Sequence, residues 1–166
     1  MTPAPGLVLR RACPADASAV RELTRQAYAK WVPVVGREPT PVTADYDRAV
    51  RQDPLDLLLR DGELVGLAWM VLCPDHLLLE SLAVAPAHQG QGYGHYLLAH
   101  VERLAAGQGL PEVRLYTNRL FAANIALYLR AGYAIDREEP FWGGVKVHMS
   151  KRVFLPEAPT APPAPA

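Results

Sequence analysis

The stretch that most constrains this chain is HLLLESLAVAPAHQGQGYGHYLLAHV, His76 to Val101. It reads as a buried strand, a glycine-dense turn and the first turns of an amphipathic helix. Leu77 to Val84 is an apolar run interrupted only by Glu80 and Ser81, the pattern of a central strand covered on both faces. Strict alternation puts Leu78, Glu80, Leu82 and Val84 on one side, which sets a single carboxylate in line with apolar neighbours. Beyond Pro86 come Gln89, Gly90, Gln91, Gly92, Tyr93 and Gly94; then Tyr93, Leu97, His100, Val101 and Leu104 recur at helical spacing. A strand that feeds a helix through three glycines lets backbone N–H groups converge on an anion. The positive end of the helix dipole adds to the attraction.

Single positions exclude two common anion-binding loops. A Walker A loop ends in Gly-Lys-Ser/Thr, whereas Gly94 is followed by His95 and Tyr96. A dinucleotide fingerprint needs a glycine three residues after its second, and counting from Gly90 and Gly92 that place holds His95. What remains is Q-x-x-G-x-G, formed by Gln89, Gly92 and Gly94. With the E-S-L-A-V-A-P strand before it and the later segment of Asn124, Leu127, Tyr128, Gly132 and Tyr133, it resembles the pyrophosphate loop of the GNAT superfamily of acyl-CoA-dependent N-acyltransferases. The resemblance covers about residues 7 to 152.

The rest of the chain reads as follows. Leu7 to Arg10 suit a short strand, and Pro14 to Asp16 open a helix to about Ala29, with Val20, Leu23 and Ala27 in one stripe. Pro33, Gly36, Pro39 and Pro41 mark a loop, followed by a short helix near Thr43 to Gln52. Leu55 to Arg60 and Glu63 to Leu72 form a hairpin across Asp61-Gly62, which supplies the positive φ angles of a two-residue turn. After the central helix, Val113 to Thr117 is a strand parallel to the central one, and Phe121 to Ala131 a helix stopped by Gly132. Tyr133 to Arg137 and Val145 to Lys151 are closing strands joined by an EEPFWGG loop. This order predicts an α/β fold: a central mixed, mostly antiparallel sheet with helices on both faces, coinciding with the GNAT fold. One domain is expected over 1–155, and the Pro/Ala-rich tail at 156–166, with no core-forming residue, is expected to be disordered or extended.

Composition limits the partners. With 17 basic and 17 acidic residues and a net charge of zero, no electrostatic footprint for nucleic acid or membrane is visible. Cys13 and Cys73 are far apart and read as reduced thiols, and no targeting or membrane-spanning segment is apparent, so the cytoplasm is the expected location. The five histidines have no metal-ligand spacing, so no metal is assigned.

The resemblance implies a division of labour. Acetyl-CoA would be the acyl-donor cosubstrate, its pantetheine arm bonding to the strand at Leu82, Ala83 and Val84. Its pyrophosphate would sit on Gln89, Gly90, Gln91, Gly92, Tyr93, Gly94 and His95, where side chains in place of the glycines would block backbone approach. Tyr128 occupies the family's general-acid position, and a phenol with a pKa of about 10 stays protonated at neutral pH. Asn124, four residues earlier on the same helix face, would contact the cofactor. Glu80 would be the base, because a strand of this polarity seldom holds a glutamate without a partner or a purpose. The acceptor, a small-molecule or peptide amine, would meet Tyr28, Trp31, Tyr46 and Trp69, with Phe141 and Trp142 nearby; such aromatics serve either an amine pocket or a homodimer contact. Glu38, Asp45 and Asp47 are candidates to draw a cationic amine. The leading expectation is acetyl transfer to a primary amine by direct attack in a ternary complex. The alternative is a non-catalytic acyl-CoA-binding sensor or regulatory module.

Overall fold

The computed structural model describes residues 4–156 and 164; the tail expected to be disordered, apart from residues 156 and 164, lies outside the described residues. Among the described residues seven strands form one sheet: β1 Leu7–Arg11, β2 Leu55–Arg60, β3 Glu63–Leu72, β4 Leu77–Val84, β5 Glu112–Asn118, β6 Ala134–Phe141 and β7 Gly144–Arg152. Their order is β1-β2-β3-β4-β5-β7-β6. Only β4 and β5 pair in parallel; every other neighbouring pair is antiparallel. The helices are α1 Ala17–Tyr28, α2 Val32–Val35, α3 Tyr46–Gln52, α4 Tyr93–Gly107 and α5 Ala122–Arg130.

The sheet divides the core in two. On one face α4 lays Tyr93, Leu97, Leu98, Val101 and Ala105 against Leu77, Leu79, Val113 and Leu115, and Tyr128 of α5 joins them. On the other face α1 and α3 lay Val20, Leu23, Tyr28, Tyr46 and Val50 against Leu55, Leu57, Leu67 and Trp69. Each fully buried Leu or Val here contributes roughly 1.5–3 kcal/mol relative to its exposed state. The apolar stripe read from the sequence in α1 is thus the stripe that meets the sheet.

Three local features differ from the sequence reading. Val32–Val35 is a single helical turn, stopped by Gly36 at φ 74°, where a loop was expected. The helix expected from Thr43 starts at Tyr46, because the Asp45 carboxylate accepts from the Arg48 amide at 3.0 Å and so fixes the N-cap. The expected EEPFWGG loop is mostly strand. β6 stays paired with β7 as far as Phe141↔Gly144, and only Trp142 and Gly143, at φ 48° and 77°, make the turn. Pro140 fits there because β6 is an edge strand, where a missing N–H leaves no ladder bond unmade.

The feature that positions the site is a β-bulge in β4. Trp69 of β3 pairs with Ser81 and Met70 with Leu79, so Glu80 has no partner residue. A bulge restarts the alternation one residue out of step. Leu77 and Leu79 lie on the α4 face before it, Leu82 on the same face after it, and Ala83 on the opposite face. Glu80 is therefore not in line with Leu82 and Val84, as strict alternation required.

Candidate active site

β4 and β5 separate at the bulge. They pair at Leu77↔Val113, Leu78↔Arg114 and Leu79↔Leu115, and no further, although both strands continue. A bulged strand bends and ends its pairing in this way. The edge of β4 from Glu80 to Val84 is left facing a cleft instead of a neighbouring strand. Two of its carbonyls meet side chains: Leu82 O accepts from the Tyr28 hydroxyl at 3.4 Å, and Val84 O from Gln89 Nε2 at 3.0 Å. An open strand edge suits an extended ligand arm carrying its own amides.

The glycine loop forms the far end of this cleft. Gly90 and Gly92 adopt φ of 76° and 87°, the left-handed region that a side chain disfavours. Gly92 is the N-cap of α4 and offers no side-chain cap. Among the described residues, the backbone N–H groups from Gly90 to His95 donate to no backbone or side-chain acceptor. A row of free donors at the positive end of a 15-residue helix is a cradle for an anion.

The loop, Leu82, Ala83 and Val84 of β4, and Asn124, Leu127, Tyr128 and Arg130 of α5 line a cavity of about 320 Å³. Lys30, His88 and His95 lie on its wall and, among the described residues, no aspartate or glutamate does, which suits a polyanion. Of the loop residues singled out from the sequence, Gln91 falls outside this lining; its side chain turns back to the Ala87 carbonyl at 3.5 Å. Gln89 braces the loop by accepting from Lys30 Nζ at 3.1 Å while donating to Val84. Tyr93 ties α4 to β2 through a 2.6 Å bond from Arg60. Gly94 lets α5 approach: a Cβ there would lie 3.1 Å from Leu127 Cδ2.

A second cavity, about 150 Å³, lies beside the first and shares Tyr28, Leu82 and Tyr128 with it. Tyr128 is buried, edge-on to Tyr133 with ring centroids 6.0 Å apart. Its hydroxyl has no hydrogen-bond partner among the described residues, and burial pushes its pKa above the ordinary phenol value. Tyr128 is thus a protonated, uncommitted donor where the two cavities meet. Asn124 lines only the first cavity.

Glu80 lines the second cavity and accepts from the Tyr116 hydroxyl at 2.7 Å. Burial, then the bond to Glu80, pushes Tyr116 upward, so it too stays a neutral donor. Of the expected acceptor contacts, Tyr28 and Trp69 line this cavity and Phe141 joins them. Trp31 lies on the wall of the first cavity instead, stacked on Phe121 at 4.8 Å. Tyr46 lines neither. Its ring is fully buried against Trp69, and its hydroxyl donates to Pro41 O at 2.6 Å, which pins the preceding loop. Trp142 is 80% exposed.

The three expected acidic attractants are also elsewhere. Asp45 caps α3, Asp47 pairs with Arg21 at 3.0 Å, and Glu38 is exposed outside the lining. Tyr116, Arg37 and Lys146 line the second cavity and were missed. Alternation along β5 separates Tyr116 from the core positions Val113 and Leu115, but it says nothing about what the tyrosine faces. Neither cysteine lines either cavity. Among the described residues no cluster of potential metal ligands occurs, and no helix is long and apolar enough to cross a membrane.

A family model described as the acetyltransferase (GNAT) family matches residues 18–133. Over 85 residues the chain is 38% identical to a mycothiol acetyltransferase of Streptomyces coelicolor, a match that covers 49% of this chain and 28% of that protein. It is 33% identical over 76 residues to a streptothricin acetyltransferase of Streptomyces lavendulae, covering 45% and 40% of the two chains. The matched segment thus covers less than half the length of either relative. Among solved structures it resembles the PaiA N-acetyltransferase of Thermoplasma acidophilum in complex with coenzyme A, with a TM-score of 0.77 and 16% identity over 88% of this chain and 98% of that one.

Proposed function

The chain belongs to the GNAT acetyltransferase family, and from that premise we propose that it transfers an acetyl group from acetyl-CoA to a primary amine by direct attack in a ternary complex. The observation that carries this reading is the meeting of two unlike cavities at one protonated phenol. One is an open strand edge ending in a cradle of free N–H groups; the other is an aromatic pocket with a carboxylate. The names of the relatives, acetyltransferases of small molecules, and the coenzyme A bound in the structural neighbour support it.

On this reading the donor lies in the first cavity. Its phosphates rest on Gly90, Gly92, Gly94 and His95 with Lys30 and Arg130 alongside, and its amide arm bonds to the free edge of β4. The amine enters the second cavity beside Glu80. A lysine-like amine, with a pKa of about 10.4, must first lose a proton, which at pH 7 costs nearly 5 kcal/mol. Glu80 accepts that proton, directly or through one water, while Tyr116 holds the carboxylate in place. The amine nitrogen then bonds to the thioester carbonyl carbon. As the tetrahedral intermediate re-forms its carbonyl and breaks its carbon–sulfur bond, the nitrogen gives up its second proton, which passes through water to the released thiolate. Tyr128 donates to the departing sulfur. A thiol ionises near 8.5, below a phenol near 10 or higher. The hydrogen bond to the forming thiolate therefore gives the stabilisation, and the thiolate leaves readily. No cysteine is within reach to carry the acetyl group as an intermediate.

The test is acetyl-CoA-dependent release of free thiol across a panel of primary amines, beside thermal denaturation with and without coenzyme A. Release with at least one amine is expected. Stabilisation by coenzyme A without release for any amine would favour the non-catalytic sensor instead.

A further inference from the structure

The second cavity has a charge pattern opposite to the one the sequence suggested. Among the described residues Glu80 is its only carboxylate, while Lys146 and Arg37 also line it. Neither cation has a carboxylate partner among the described residues. Lys146 Nζ lies 4.5 Å from the Tyr116 ring centroid and 4.0 Å from that of Phe141; Arg37 lies 5.8 Å from the Trp142 ring. Aromatic faces hold these cations without neutralising them. Tyr116 is also the residue whose hydroxyl binds Glu80. One aromatic side chain therefore separates a carboxylate from an ammonium with no carboxylate partner among the described residues, inside a pocket whose wall also includes Tyr28, Trp69, Phe121 and Phe141. Half-buried positive charge among apolar groups is unfavourable until a ligand supplies the counter-charge.

We propose, building on the acetyl-transfer reading, that the acceptor is an amine that also carries an oxyanion, carboxylate or phosphate, a few bonds from its nitrogen. The amine points to Glu80 and Tyr128, and the oxyanion to Lys146 and Arg37. The same arrangement selects against polyamines, because a second cation on the acceptor would meet like charge at Lys146.

The test uses the purified chain with matched probes: L-phenylalanine against 2-phenylethylamine, L-leucine against isopentylamine, O-phosphoethanolamine against ethanolamine, and spermidine as a polycation. Thiol release gives kcat/KM, and calorimetry in the presence of coenzyme A gives affinity whether or not turnover occurs. The oxyanion-bearing member of at least one pair should exceed its counterpart by about tenfold or more, the usual value of a charge-assisted bond. The phosphate pair and the carboxylate pairs tell which oxyanion the pocket prefers. Lys146→Met keeps the apolar stem over Tyr116 and Phe141, so it should collapse the ratio mainly through KM, whereas Lys146→Arg should preserve it. A preference for the counterpart in every pair, for spermidine, or a ratio indifferent to Lys146→Met would overturn the inference, as would failure of every oxyanion-bearing probe to bind. If calorimetry shows the tenfold preference but no probe releases thiol, the acetyl-transfer reading falls and the inference about ligand charge stands.

Discussion

The Tyr116 hydroxyl donates to Glu80 Oε1 across the gap where β4 and β5 have separated. The pair spans the two strands whose backbone pairing stops one residue earlier, at Leu79↔Leu115. It exists because the bulge gives Glu80 no partner residue in β3 and leaves it on the open side of the strand. A charged carboxylate offers about four lone-pair sites, and Tyr116 uses one. The others face the cavity that Glu80 lines. The hydrogen bond therefore fixes the carboxylate without consuming its capacity to accept a proton.

Tyr128→Phe removes the uncommitted hydroxyl and leaves the ring packed against Tyr133. Coenzyme A binding, followed by thermal shift, should be unchanged, while kcat falls about 10²–10⁴-fold, the usual contribution of a positioned proton donor. A variant within twofold of wild type would make Tyr128 a packing residue only.

Gly92 and Gly94 are predicted to fail differently. A Cβ at Gly92 meets nothing within 4 Å, but φ is 87°, so Gly92→Val strains the backbone and places its side chain in the cradle. Thermal stabilisation by coenzyme A, about 2.7 kcal/mol at a hundredfold excess over Kd for the wild type, should disappear. Gly94→Val instead crowds the Leu127 side chain of α5, which must shift to admit it, so it should lower the melting temperature of the free protein through packing. An unchanged free-state melting temperature in Gly94→Val would contradict the close α4–α5 approach.

How much of this was readable beforehand depends on the range of the interaction. The glycine loop and the strand before it are local patterns, and they stand where the sequence put them. The Asp61-Gly62 turn is equally local, with φ of 50° and 85° as such a turn requires. The bulge is not local. Leu77 to Val84 reads as one unbroken strand, to which a strict period of two was applied, and only the cross-strand register with β3 shows that the period slips at Glu80. Tyr116 and Lys146 were missed for the same reason, since they meet the site through β5 and β7, far from it in sequence. The tip of the β6–β7 hairpin was read as an EEPFWGG loop, yet an edge strand tolerates Pro140 and the acidic residues beside it.

Away from the site, Asp56 gives a stability prediction with a defined sign. Burial opposes its charge, but bonds from His100 at 2.7 Å and from Arg11 outweigh it and lower the pKa below the ordinary aspartate value. A carboxyl whose folded pKa lies below its unfolded value of about 3.9 adds stability above that pH, and the gain is lost as pH falls through the folded pKa. Asp56→Asn should therefore destabilise the protein at pH 7 and flatten the acid side of its stability curve. Urea unfolding of both proteins at pH 7, 5 and 3 measures this: their difference should shrink between pH 5 and 3, and a constant difference would show that the charge contributes nothing.

The last prediction isolates the proton that leaves the amine. If Glu80 takes it, Glu80→Gln keeps the hydrogen bond from Tyr116 and the cavity shape but cannot accept a proton. The kcat for an alkyl amine should fall about 10²-fold or more, with coenzyme A affinity unchanged because Glu80 lies outside the first cavity. The deficit should depend on the acceptor. An amine already neutral at pH 7, such as a hydrazide or an aromatic amine that the pocket admits, has no proton to lose before attack. It avoids the cost of nearly 5 kcal/mol borne by a lysine-like amine. Wild type and Glu80→Gln should therefore turn over such an acceptor at rates within a few-fold of each other while differing widely on the alkyl amine. An equal deficit on both acceptors would assign Glu80 to positioning the substrate and send the proton to water along the open edge of β4.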